Sequence, residues 1–200
     1  MTDGSGATAR SISKEALAEL PIRRYEGRTI LVTMDADAAA AAADFATETV
    51  VGFDTETRPA FHKGESYLPS LVQLATANAV YLFQLRRSEF FPLLQHVMEN
   101  TALVKAGVAI ADDLRTLKQV IPFAEKNMID LGIAARNAGF QQTGVRNLSG
   151  ICLGYRIAKG AKTTNWAARD LTPVQIAYAA TDAWASRELY LALKRQGVIA

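Results

Sequence analysis

With 200 residues, half of them apolar and 21% charged, the chain is long enough for one domain with a full core. Its formal net charge of +2 permits a nucleic-acid partner without arguing for one. A single cysteine, Cys152, excludes an intrachain disulfide framework, and one cysteine with two histidines is too few for a zinc site.

Residues 1–20 read as a flexible lead-in, rich in Gly, Ser and Thr at its start and without the apolar core of a signal peptide. No apolar run approaches the length of a membrane span, so a soluble, cytoplasmic protein without a membrane partner is expected. Residues 21–200 are expected to form the domain. Thr29–Thr33 predicts a strand and the Ala-rich Asp35–Glu48 a helix. Val50–Thr55, Leu71–Ala75 and Val80–Phe83 predict three strands close enough in sequence for an antiparallel meander. Phe90–Met98 has helical spacing, Leu103–Val108 predicts a strand ending near Gly107, and Asp112–Val120 a helix stopped by Pro122. Ile129–Ala138 and Arg146–Leu153 predict short helices, with Cys152 a small buried hydrophobe in the second. In the last helix, Thr172 is the N-cap, Pro173 takes the first turn and Gln175 completes a capping box, so the helix runs to about Arg195. Helices between strands imply an α/β layer fold with a mixed sheet.

Three acidic segments carry the chemistry. Asp54 and Glu56 lie two residues apart on a buried strand and so share one face. Two carboxylates there repel and lose solvation, which a divalent cation would offset; a charged strand end facing water is the other reading. Asp112 and Asp113 open a helix, where one can cap and the other is free for chemistry, or both can cap. Tyr178 and Asp182 are one helical turn apart amid Ala177, Ala179, Ala180, Ala183 and Ala185, small enough to let this face approach another element; the solvated face is expected near Arg187, Glu188, Lys194 and Arg195.

Together, Asp54-x-Glu56, the Gly107–Leu117 segment and Tyr178-Ala-Ala-Thr-Asp182 resemble the DEDDy group of 3′→5′ exonucleases, over about Thr29 to Leu193. The sister group carries a histidine five residues before its last aspartate, where this chain has Ala177. The loop from Thr57 to Gly64, the strand Leu71–Ala75 and Asn165-Trp166 most resemble Werner-type exonuclease domains. Ribonuclease D domains share the three motifs but add C-terminal helical domains, which this sequence does not include. The resemblance implies a ribonuclease-H-like fold with a five-stranded mixed sheet. It implies release of nucleoside 5′-monophosphates from nucleic-acid 3′ ends, DNA preferred and RNA possible, with two Mg²⁺ or Mn²⁺ as cofactors. By the same resemblance Asp54 bridges both ions, Glu56 and Asp182 complete one site, Asp113 acts at the second ion through water, and Tyr178 aligns the attacking water.

Substrate handling falls to other residues. Phe61 can stack on a terminal base, worth roughly 1–3 kcal/mol, or pack its own loop. Arg58, Lys63 and Lys162 are candidate phosphate contacts, whereas Lys159 reads as a solvated charge. Trp166 reads as an anchor before the last helix, and neither His62 nor His96 has a catalytic pattern around it. The competing class is a nucleic-acid or protein-binding module without catalysis, which the intact set of Asp54, Glu56, Asp113, Tyr178 and Asp182 argues against.

Overall fold

The computed structural model describes residues 10–62, 64–158, 160 and 164–199. In chain order the elements are α1 (Lys14–Glu19), β1 (Ile22–Arg23), β2 (Arg28–Leu31), α2 (Asp35–Thr47), β3 (Val50–Glu56), β4 (Leu71–Ala75), β5 (Ala79–Gln84), α3 (Phe91–Glu99) and β6 (Val104–Gly107). They continue with α4 (Ala111–Leu117), β7 (Met128–Asp130), α5 (Leu131–Asn137), α6 (Val145–Leu148), β8 (Arg156–Ile157) and α7 (Pro173–Arg195).

The main sheet has six strands in the order β2-β5-β4-β3-β6-β7. β3, β4 and β5 form the expected antiparallel meander, while β2 joins β5, β6 joins β3 and β7 joins β6 in parallel. The sheet is thus mixed, but it has six strands rather than five. The additional strand is Met128–Asp130, expected as the start of a helix; its apolar residues run into α5 with no breaker between them. Likewise, Arg146–Leu153 divides into α6 and a single wide π turn over Ser149–Leu153. Within the expected lead-in, α1 forms under a Ser13 cap, and Ile12 exchanges hydrogen bonds with the Gln142 amide at 3.2 and 3.1 Å. β1 and β8 pair in a separate two-stranded parallel ribbon.

Strand alternation divides the core into layers. Val51, Phe53, Val72, Leu74, Tyr81 and Phe83 face one way, onto Phe45 of α2, Leu94 and Val97 of α3 and Leu117 of α4. Leu71, Ala75, Val80 and Leu82 face the other way, onto Ala179, Ala180 and Ala183 of α7. The N-terminus of α7 is fixed by the capping box: the Thr172 hydroxyl accepts from the Gln175 amide at 3.2 Å, and the Gln175 side chain accepts from Thr172 N at 2.9 Å. Further along, Arg187 sits close to the sheet rather than on a solvated face, paired with Glu48 at 3.1 Å.

One contact sets how closely α7 lies on the sheet. A methyl group at Gly52 would overlap the Ala183 carbonyl oxygen and come within 2.8 Å of Arg187 N. Because the obstruction is helix backbone, no rotamer change relieves it. Gly52→Ala is expected to cost about 3 kcal/mol or more, although alanine is intrinsically no worse than glycine in a strand. Chemical denaturation checks this, and a loss under 1 kcal/mol would show that α7 shifts freely on β3.

Candidate active site

The even-numbered face of β3 that carries Gly52 also carries Asp54 and Glu56, and α7 delivers Asp182, adjacent to Ala183, onto it. Carboxylate oxygens of Asp54, Glu56 and Asp182 all lie within 4.8 Å of one another. Glu56 and Asp182 are each only 8% exposed. Burial, then the charges of Asp182, Glu56 and Asp113, push the Asp54 carboxyl well above the usual carboxylate range. The donor atoms are all hard carboxylate oxygens, a set that fits Mg²⁺ or Mn²⁺ and not a soft metal. A cation held there would offset the repulsion that burial intensifies; with Glu56 buried and Asp54 partly so, the strand-end-in-water reading does not describe this pair.

Asp113 approaches from the other face of the sheet. Thr55, between the two carboxylates on β3, points away from them, and its hydroxyl donates to Asp113 Oδ1 at 2.5 Å. Burial raises the Asp113 carboxyl, partly offset by that hydrogen bond. Asp112 points outward and pairs with Arg115 at 3.1 Å. The two neighbouring aspartates are thereby distinguished: Asp113 is bonded to Thr55 and its charge acts on Asp54, whereas Asp112 lies at the surface. Neither caps α4. The N-cap position is Ile110, and Asp130 at the end of β7 accepts from Ala109 N and Ile110 N at 3.2 and 3.1 Å. The same carboxylate caps α5 through Gly132 N and Ile133 N, so one residue ties both helix starts to the sheet edge.

Tyr178 lies one turn before Asp182 and hydrogen-bonds to it; burial, then the Asp182 and Glu56 charges, raise its phenol well above its ordinary value. The ring packs against the fully buried Trp166 at a centroid distance of 6.0 Å, and Gly160 passes so close that any side chain there would overlap the ring. Trp166 is therefore the anchor expected of it, and it positions Tyr178. Directly across β4 from Asp54 stands Gln73, fully buried, with neither amide atom hydrogen-bonded among the described residues. Leaving such groups unsatisfied costs about 1–3 kcal/mol each.

The loop between β3 and β4 is less committed. The Arg58 guanidinium lies 3.9 Å over the Tyr67 ring while remaining exposed, and Phe61 is 77% exposed. Phe61 therefore does not pack its own loop. Lys63, Lys159 and Lys162 lie outside the described residues. His62 and His96 are exposed. Thr55, Gln73, Asp130 and Gly160 were not singled out by sequence reasoning. Only the register of β4 against β3 could have pointed to Gln73, because the others depend on contacts between distant segments.

Comparison with known proteins agrees with this geometry. Residues 29–197 match the 3′–5′ exonuclease family. A ribonuclease D from Acidiphilium cryptum is 34% identical over 164 residues, covering 79% of this chain and 41% of that protein. The bifunctional 3′–5′ exonuclease/ATP-dependent helicase WRN of Mus musculus is 31% identical over 155 residues, covering 74% of this chain and 11% of that protein. The chain thus spans less than half the length of these curated relatives. The crystal structure of the Aedes aegypti Nibbler EXO domain superposes with a TM-score of 0.75 at 24% identity, covering 88% of this chain and 91% of that one, and so shares the fold. With the acidic cluster, the adjacent tyrosine and a family match across the whole sheet, the chain belongs to the 3′–5′ exonuclease family of the DEDD superfamily.

Proposed function

We propose that residues 21–200 form a single exonuclease domain that hydrolyses phosphodiester bonds from the 3′ end of nucleic acid and releases nucleoside 5′-monophosphates. The observation that carries this is the meeting of Asp54, Glu56 and Asp182 within 4.8 Å, beside Tyr178. Asp54, Glu56 and Asp182 would hold divalent cation, with Asp113 serving a second cation through water. Bound Mg²⁺ or Mn²⁺ would supply Lewis-acid stabilisation and a water acidified enough to attack phosphorus.

The chain's own residues do the rest. Gly52 and Ala183 hold β3 and α7 together, so the carboxylates stay in register with each other. Thr55 fixes the rotamer of Asp113 by donating to it. A phenol, with an ordinary pKa of about 10 that burial and the Asp182 and Glu56 charges raise further here, is a poor base at neutral pH; Tyr178 orients the attacking water by hydrogen bonding while Trp166 and Gly160 keep its ring in place. Phe61 and Arg58 at the mouth of the loop suit stacking and phosphate contact with a terminal nucleotide.

The likeness of the loop from Thr57 to Gly64 to Werner-type domains supports DNA as substrate. A second reading, RNA trimming, is favoured by the ribonuclease D relatives, among them that of Haemophilus influenzae at 31% identity over 153 residues. Degradation of matched 5′-labelled DNA and RNA strands separates the two.

Hydrolysis should cease in EDTA and return with Mg²⁺ or Mn²⁺; full activity in EDTA would defeat the metal-dependent reading. Tyr178→Phe deletes one hydrogen-bonding group and no carboxylate. Its kcat should fall roughly 10²-fold at near-constant KM, and single-turnover cleavage within a few-fold of the parent would leave Tyr178 with packing alone.

Asp54→Asn should abolish cleavage yet stabilise the metal-free protein. A carboxyl raised on folding binds a proton in the native state while the unfolded chain, with its value near about 3.9, has released it. Stability attributable to Asp54 is therefore present at low pH and lost as pH rises above that unfolded value toward the raised folded one. In EDTA at pH 7 the Asn variant should melt above the parent by about 2–8 °C, the span that roughly 1–2 kcal/mol corresponds to in a domain of this size. The gap should close on acidification to pH 4. Melting scans of both proteins across pH read this directly, and a variant less stable than the parent at pH 7 contradicts it.

A further inference from the structure

The two-stranded ribbon lies beside the site but is not part of it. β1 and β8 pair with Ile22 opposite Arg156 and Arg23 opposite Ile157. On one side of the ribbon is a cavity of about 170 Å³, lined by Arg23, Arg24, Ile157, Val174 and Tyr178, which places it directly against the tyrosine of the active site. On the other side is a larger cleft of about 610 Å³ between α1 and the start of α6, lined by Lys14, Leu17, Val145, Arg146 and Arg156 among others. No carboxylate lines either space among the described residues.

Arg146 lines the larger cleft, and its Nε donates at 3.2 Å to the carbonyl of Ile157, a residue that lines the smaller cavity. Arg156 is fixed in the same way, Nε donating to Leu20 O at 3.0 Å. Among the described residues each guanidinium is thus held through Nε alone, leaving its other N–H groups to be directed at something else. Among the described residues, Lys14, Arg23, Arg146 and Arg156 have no ion-pair partner; Arg24 has one, Glu26 at 3.7 Å, with both side chains mostly exposed. The nearest acids on α1, Glu15 and Glu19, do not line the cleft, and the Glu15 carboxylate is turned to the helix start at Ser13. Four cations with no ion-pair partner among the described residues, beside Arg24 in its exposed pair, repel one another. The run is complementary to a ligand that carries a negative charge at every repeat, and apolar Leu17 and Val145 at its base suit sugars or bases.

We propose that this ribbon cleft, from Arg23 and Arg24 past Arg146 and Arg156 to Lys14, is a track for the sugar-phosphate backbone of the single strand whose 3′ end is being cleaved. It rests on the exonuclease reading and adds to it a second binding site that engages nucleotides beyond the scissile one. The track makes affinity depend on strand length and leaves the chemical step untouched. Arg146 and Arg156 act as backbone anchors for the strand.

The test compares 5′-labelled single strands of two nucleotides and of about twelve, within the range that such grooves accommodate. The triple variant Lys14→Gln/Arg146→Gln/Arg156→Gln removes three cations. For the long strand its KM should rise roughly tenfold at unchanged kcat, and the slope of log affinity against log salt should flatten by about 2, at about 0.7 for each phosphate that is no longer neutralised. For the dinucleotide, kcat and KM should match the parent. Lys14→Glu, on an exposed side chain without hydrogen bonds among the described residues, gives the same direction of change should the triple variant fail to fold. A long-strand KM and salt slope equal to the parent's would overturn the proposal. So would an equal loss from Arg195→Gln at the far end of α7, which would indicate a diffuse field rather than a track. If the parent cleaves neither strand, the exonuclease reading fails separately. Fluorescence anisotropy of the labelled long strand then still decides the track, with tighter binding to the parent than to the variant required.

Discussion

The backbone of β3 at Gly52 and the backbone of α7 at Ala183 lie so close that no side chain fits between them. Strand and helix periodicities convert this contact into a site. Asp54 is the next residue on the same face of the strand, and Asp182 immediately precedes the alanine on the helix. Alanines at 179, 180 and 183 keep the helix face shallow, and Arg187 secures the next turn by pairing with Glu48 and donating to the Val50 carbonyl at 3.4 Å. The carboxylates of two segments far apart in sequence are thereby brought within 4.8 Å of one another.

That proximity has an electrostatic consequence. Three carboxylates are gathered where two are almost wholly buried, and burial, then the charges of Asp182, Glu56 and Asp113, disfavours the charged form of Asp54. Tyr178 responds to the same field by holding its proton more tightly. Gln73 adds a buried amide opposite Asp54 that a purely stabilising design would replace by an apolar residue. The fold tolerates these costs because the remainder of the core is regular. Two apolar layers flank the sheet, the α7 capping box is complete, and Asp130 holds the starts of α4 and α5. Instability is concentrated at the site and stability is distributed elsewhere, the pattern expected where function requires unfavourable neighbours.

Local signals were legible in the sequence where they were self-contained. The Val50–Thr55 strand, the alternation of Asp54 and Glu56, the Thr172–Gln175 cap and the alanine face of α7 each depend on residues within one element, and each is present, the strand running one residue further to Glu56. What could not be read depends on contacts between elements. β7 is three residues long and passes into α5 without a break, so its strand character comes only from pairing with β6. Helical spacing does not separate Asp112 from Asp113, which only the family resemblance told apart; in the structure Asp113 accepts from Thr55, on the opposite face of another strand. Arg187 looks like part of a charged surface until Glu48 is brought beside it. The ribbon escaped notice because two-residue strands carry no periodicity.

The central claim is that Gly52 and Ala183 bring Asp54, Glu56 and Asp182 together as a cation site. Diffraction at the manganese absorption edge from crystals soaked in Mn²⁺ tests it most directly. The account requires anomalous density among the carboxylate oxygens of Asp54, Glu56 and Asp182. Manganese found only elsewhere, or none at that cluster at millimolar concentration, would contradict it.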